Sequence, residues 1–125
     1  MNGVTFDAGG LIALDRSDRH VLVLLARAAE LGSKVTVPAT ALAQAMRAPA
    51  KQARLSRLLR QPTTRLEVLD GPDATQVGLL LAASRTSDIA DAHVVICARR
   101  HGESIVTSDP KDLARLDGEA VLIRV

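Results

Sequence analysis

Aromatic side chains are nearly missing. Of 125 residues one is Phe, and Tyr and Trp do not occur. Recognition of bases by stacking on a ring platform, as RRM and OB modules do it, is therefore excluded. Cysteine is equally scarce: Cys97 stands alone, which rules out an internal disulfide and a thiolate metal cluster. No run approaches the roughly eighteen uninterrupted apolar residues of a membrane helix. The opening Met1-Asn2-Gly3-Val4-Thr5-Phe6-Asp7 has no basic leader and carries a carboxylate where a signal peptide would be apolar. A cytoplasmic protein without a membrane partner is expected. The content suits one domain over residues 1–125, because 47% of the residues are apolar and 24% charged. A chain of this length buries about two thirds of its unfolded surface and can build a core unaided.

The net charge of +2 is too small to indicate a partner, but its distribution is uneven. Between Leu31 and Arg65 there is no acid, while Lys34, Arg47, Lys51, Arg54, Arg57, Arg60 and Arg65 all fall there. The acids gather in the first and last thirds. A cationic flank beside an acidic centre is the expected arrangement.

Along the chain, short apolar runs alternate with helical patterns. Residues 3–6 read as a buried strand stopped by Asp7 and a sharp turn at Gly9-Gly10, with helix resuming over 11–14. Asp18 caps a longer helix that stops at Gly32. Residues 34–37 are a β-branched strand, Pro38 opens a helix over 39–46, and Pro49 separates it from another over 50–59. A third strand over 66–69 precedes a helix over 73–83. The polar loop 84–87 leads into a mostly apolar helix over 88–100. A fourth strand over 104–107 runs into Ser108-Asp109-Pro110 and a short helix, and residues 120–125 close as a fifth strand. The pattern predicts an α/β fold with a mostly parallel five-stranded sheet and helices on both faces.

In such sheets ligands collect beyond the carboxyl ends of the strands. Asp7 follows the first strand and Asp109 the fourth, so both are sent to one edge. Asp88 and Asp91 stand three apart at a helix start and share a face, where free backbone N–H groups favour anions. Four carboxylates around one point repel and call for cations. Oxygen-only ligands select hard ions such as Mg²⁺ or Mn²⁺, and the matching chemistry is attack of a metal-activated water on a phosphodiester.

These stretches carry a resemblance. Val4-Thr5-Phe6-Asp7-Ala8-Gly9-Gly10-Leu11-Ile12-Ala13-Leu14, Val37-Pro38-Ala39 to Gln44, Thr86-Ser87-Asp88-Ile89-Ala90-Asp91-Ala92 and Ile105-Val106-Thr107-Ser108-Asp109-Pro110 occur in the family's order over essentially the whole chain. The sequence resembles a PIN-domain endoribonuclease, specifically the toxin of a VapC-type toxin–antitoxin pair. The resemblance implies a PIN-like three-layer fold and a Mg²⁺- or Mn²⁺-dependent cut in structured RNA, often tRNA or ribosomal RNA. It also implies a homodimer and a small antitoxin that covers the active site. Asp7, Asp91 and Asp109 resemble the family's metal-binding acids, and Asp88 is an additional acid on that face. The sequence departs from the pattern at Gln44, where the family usually has Glu. A Gln carbonyl can touch a metal or its water but brings no charge, so metal affinity should fall, with Asp88 restoring one negative charge nearby.

Plainer readings stand beside these. Asp88 with Asp91 reads as a capping-box variant, Asp7 as a turn former, and Asp109-Pro110, with Ser108, as a helix start. Lys51, Arg54 and Arg57 read either as a solvated face or, with Gln44 and Ser108, as contacts to an RNA substrate. Asp15, Asp112 and Asp117 read as solvent-facing, His93 as a possible neighbour of the acids, and Cys97 as core packing. Two other functions fit the pattern. One is a catalytically weakened PIN domain that binds RNA or protein without cutting. The other is a phosphoacceptor receiver domain using Asp70 after the third strand, although no Lys follows the last strand.

Overall fold

The computed structural model describes residues 3–125; Met1 and Asn2, the start of the segment read as leaderless, lie outside the described residues. Five strands form one sheet: β1 (Val4–Phe6), β2 (Val35–Pro38), β3 (Thr64–Glu67), β4 (Ser104–Thr107) and β5 (Leu122–Arg124). Their order is β3-β2-β1-β4-β5 and every neighbouring pair is parallel. The connections are α1 (Ala8–Asp15), α2 (Arg19–Leu31), α3 (Ala39–Ala45), α4 (Ala53–Leu59), α5 (Gly71–Ser84), α6 (Ile89–His101) and α7 (Pro110–Leu116), with a 3-10 turn at Pro49–Lys51. Helix α6 lies across β1 and β2 and meets α3, α5 and α7, while α1 packs on β4 and against α2 and α4. Central β1 is buried at all of its positions, as a strand covered on both faces must be. This is the three-layer α/β architecture expected.

The strand order excludes the receiver reading. Receiver domains place the first strand between the second and third, whereas here β3 is an edge strand separated from β1 by β2. Asp70 is exposed and caps α5, accepting from the Asp73 N–H at 2.9 Å.

Local signals hold where a cap or stop residue sets the boundary. Asp18 accepts from the Val21 N–H at 3.1 Å, and Gly32 closes α2 with φ 64°. The third strand begins earlier than its apolar run, because Thr64 pairs with Val35 and the ladder ends at Glu67. Leu66 and Val68 are instead 53% and 64% exposed. At an edge the neighbouring ladder sets the register, and hydrophobicity there misleads. Helix α5 ends at Arg85 in the left-handed conformation, φ 57°, a strain of about 1 kcal/mol for a residue with a Cβ.

Gly9 and Gly10 are not a turn. They lie inside α1, which begins directly after Asp7. A Cβ on Gly9 would stand 2.1 Å from Ser108 Oγ, and one on Gly10 would stand 2.5 Å from the Val106 carbonyl oxygen. The glycines therefore let α1 lie close on the end of β4. Because the obstacle at Gly10 is backbone and cannot swing away, Gly10→Ala is expected to destabilise by about 1–3 kcal/mol despite alanine's better helix propensity. Urea unfolding checks it; an unchanged midpoint would refute the packing argument.

A chain of polar groups crosses the molecule without any periodic signature in the sequence. Buried Thr5 and Thr36 donate to Glu103 Oε1 at 2.9 and 2.7 Å. Glu103 Oε2 pairs with Arg65 at 3.2 Å, and Arg65 meets His101 Nδ1 at 2.9 Å. His101 Nε2 lies 2.5 Å from Glu67 Oε1, and Arg100 joins Glu67 to Asp73. Burial raises the Glu67 pKa, but the hydrogen bonds and charges of His101 and Arg100 outweigh it and leave the net shift downward. Asp73 Oδ2 is 3.8 Å from His93 Nε2, whose partner nitrogen Nδ1 is 2.7 Å from Thr40 Oγ1. The chain begins just before β4 and ends just after β2, so it links the two edges of the sheet.

Candidate active site

Parallel strands carry their carboxyl ends to one edge. Because β1 pairs with β4 through Phe6 and Val106, Asp7 arrives beside Thr107, and Asp109 follows two residues on. Asp7 is 5% exposed and accepts from the Gly10 N–H at 2.7 Å, capping α1. Its pKa is raised, first by burial; the Thr107 hydroxyl and Gly10 N–H pull it down, and the charges of Asp109 and Asp88 push it up. Asp91, partly buried in the first turn of α6, is pushed up to about 7 by burial and then by Asp88, Asp7, Asp112 and Asp109. The charges of Asp88 and Asp109 thus bear on both Asp7 and Asp91, and that of Asp112 on Asp91.

The plain and the sharp readings of two acids coexist. Asp88 caps α6 by accepting from the Asp91 N–H at 2.9 Å, and it also raises the Asp91 pKa. Asp109 holds the position before α7 but makes no side-chain cap bond, while its own N–H donates to Thr107 Oγ1 at 2.9 Å. Thr107, fully buried, therefore ties Asp109 to the Asp7 neighbourhood. Sequence reading missed Thr107; its signal was a hydroxyl ending an apolar strand directly before two polar residues.

Two clefts open at this edge and share Ser87 and Asp88. One, of about 490 Å³, is lined by Thr40, Ala43 and Gln44 as well. Gln44 thus lines one cleft with Asp88. The other, of about 300 Å³, holds Asp88, Asp91 and Asp112 with Arg85 and Arg115. Among the described residues no three His, Cys, Asp or Glu side chains are gathered closely enough to hold a metal ion as they stand. In kind, the donors fit a hard divalent cation: they are all carboxylates, they repel, and Asp109 is exposed and uncapped. A closed chelate would require these side chains to draw in.

Other expectations are corrected. Arg54 and Arg57 do not border the acids. With Leu14, Ser33, Val35 and Thr64 they line a groove of about 380 Å³ where β2 and β3 begin, at the opposite edge. Helix α4 carries its arginines away from the carboxyl ends of the strands. Lys51 is exposed in the 3-10 turn, and Ser108 is exposed beside Gly9. Asp112 is exposed, as read, and also lines the cleft with Asp91. Asp117 pairs with Arg99 at 3.0 Å, and Asp15 accepts from Gln52 at 3.4 Å. His93 is fully buried and turned from the acids toward Asp73 and Thr40, two helix positions from Asp91 being opposite faces. Its pKa is lowered, chiefly by burial. Cys97 packs in the core, where burial pushes its thiol up to about 12 and leaves it inert.

Residues 4–119 match the family model described as PIN domain. The chain belongs to the PIN domain family. No curated protein matches this PIN domain in sequence. Among solved structures it is similar to FitAcB from Neisseria gonorrhoeae, with 16% identity, a TM-score of 0.68, and coverage of 97% of this chain and 96% of that one. It is also similar to VapBC2 from Rickettsia felis, solved bound to a DNA fragment from their promoter. There the identity is 13% and the TM-score 0.68, over 100% and 99% of the two chains. These likenesses establish the fold. No helix among the described residues is long and apolar enough to cross a membrane.

Proposed function

We propose that this PIN domain is a metal-dependent endoribonuclease and the toxin of a toxin–antitoxin pair, cutting structured RNA such as tRNA or rRNA in the cytoplasm. The observation that carries the reading is the convergence of Asp7 and Asp109, which follow paired strands β1 and β4, with Asp88 and Asp91 at the start of α6 on the carboxyl edge of the sheet. Membership of a family of nucleases supports hydrolysis of nucleic acid. The likeness to FitAcB and VapBC2, toxin–antitoxin assemblies, supports a small antitoxin as partner. Asp7, Asp91, Asp88 and Asp109 would hold Mg²⁺ or Mn²⁺, and a bound ion would supply a water of lowered pKa and charge for the leaving oxygen. Asp7, fixed by its cap bond, sets the position of the centre. Asp91 would bind such an ion in its ionised form, Gln44 would offer its amide to a water beside it, and Ser108 would offer a hydroxyl to a phosphate. A homodimer belongs to the same reading, and sedimentation velocity is the check.

The direct test incubates tRNA and rRNA with the protein in Mg²⁺, Mn²⁺ or EDTA, and maps RNA ends in cells after induction against an Asp7→Ala control. Cleavage in neither metal would defeat the proposal. A second reading, binding without cutting, rests on uncharged Gln44 in the cleft with Asp88. Gln44→Glu is expected to tighten Mn²⁺ binding about tenfold by adding a carboxylate. If the wild type is inert and Gln44→Glu cuts, the binding reading stands.

The metal-free protein should also show a pH signature. The Asp91 pKa is raised to about 7, so between the ordinary carboxylate range and about 7 the folded state holds a proton the unfolded chain has lost. Stability therefore falls as pH rises through that window and levels above it. Saturating Mn²⁺ should flatten the fall, which thermal melts at stepped pH would detect.

A further inference from the structure

We propose that Arg85 and Arg115 clamp the phosphate backbone of the RNA strand held at the acidic centre, an inference that rests on the nuclease reading above. A polyanion approaching this edge meets Asp7, Asp88, Asp91, Asp109 and Asp112, and one divalent cation offsets only part of that charge. Approach requires positive potential at the rim. Helix α4 does not supply it, because Arg54 and Arg57 line the groove at the other edge. Arg85 and Arg115 line the cleft with Asp88, Asp91 and Asp112 itself.

Both guanidiniums are available. Arg65, Arg99 and Arg100 are engaged by Glu103, Asp117 and Glu67 at 3.2, 3.0 and 2.9 Å. Exposed Arg85 enters no side-chain hydrogen bond or ion pair among the described residues. Arg115 has only Asp112 at 3.9 Å, one turn back on α7, with the two side chains 72% and 55% exposed. Such a pair holds a guanidinium weakly. A planar fork left free beside a nucleic-acid site is suited to bidentate contact with phosphate.

The backbone at Arg85 is a second, independent observation. Helices α2 and α6 end in the left-handed conformation on Gly32 and Gly102. Helix α5 ends the same way on Arg85, with φ 57° and ψ 40°. Chain geometry asks for glycine there, so the guanidinium is what the residue contributes. The loop beyond is fixed, with the Thr86 N–H donating to the Leu81 carbonyl at 3.2 Å and the Ser84 and Thr86 hydroxyls 2.8 Å apart. The base of Arg85 is thus held at the cleft.

The test separates the side chain from the fold. Arg85→Gly should keep or raise the Tm. Its affinity for a fluorescein-labelled tRNA, measured by anisotropy in Ca²⁺, should fall about tenfold. The slope of log affinity against log salt should become shallower by about one. In turnover assays KM should rise while kcat changes little, and Arg85→Lys should restore part of the affinity by returning the charge without the fork. Arg115→Ala should behave alike. Binding and salt slope equal to wild type in both variants would overturn the clamp while leaving a cutting wild type as a nuclease. A wild type that neither binds nor cuts RNA would overturn both.

Discussion

Asp7→Asn is expected to reduce RNA cleavage about 10³-fold while leaving the melting temperature unchanged or higher. The two halves of this prediction follow from different properties of one side chain. The carboxylate is buried, and burial is the largest influence on its raised pKa, so its charge is a cost to the metal-free fold. Asparagine keeps an oxygen to accept from the Gly10 N–H and is among the preferred N-cap residues, so α1 retains its start. What it loses is a negative ligand. Withholding about 4 kcal/mol of charge stabilisation from a transition state corresponds to about 10³ in rate. Mn²⁺ at about 100 times its Kd should stabilise the wild type by about 2.7 kcal/mol and Asp7→Asn far less. Melting curves with and without Mn²⁺ therefore read the ligand role separately from catalysis. A variant that unfolds in the apo form would mean that Asp7 is structural first; one that cuts RNA normally would remove it from the site.

The edge to which the acids go could be read from the sequence because topology sets it. In a parallel sheet the residue after each strand goes to one edge, so finding two strands was enough to bring Asp7 and Asp109 together, and helical spacing added Asp88 and Asp91. Helix starts at Asp18 and stops at Gly32 were legible for an equally local reason: the capping atoms are within three residues of the groups they satisfy. What failed depended on contacts distant in sequence. Gly9-Gly10 looked like a turn because glycine permits one, whereas its use is close approach to Ser108 and Val106, about a hundred residues away. The α4 arginines recur at three-residue steps, but the step size does not say toward which edge of the sheet a helix carries them. β3 was displaced because its exposed apolar residues imitate a buried run. Thr107 and Asp112 were missed since neither belongs to a local pattern that a carboxylate site demands.

Glu103 is the clearest case of a residue that no local pattern marks, and its removal should cost the most stability. It lies just before β4, directly after the helix-ending Gly102, and is 8% exposed. In the fold it accepts from Thr5 and Thr36 on neighbouring strands β1 and β2 and pairs with Arg65 on edge strand β3. Glu103→Ala leaves two wholly buried hydroxyls without their acceptor, each at about 1–3 kcal/mol. It also removes the acid partner of Arg65, although that side chain is 36% exposed and recovers part of its loss in water. The expected total is about 3–5 kcal/mol, or a fall of about 10–20 °C in melting temperature for a domain of this size. Glu103→Gln keeps an oxygen for the two threonines and should lose about half as much. The ordering of the two variants is the decisive measurement. Equal losses would place the effect in the Arg65 charge pair, and no loss in either would show that the hydroxyls find other acceptors and that the polar chain holds nothing together.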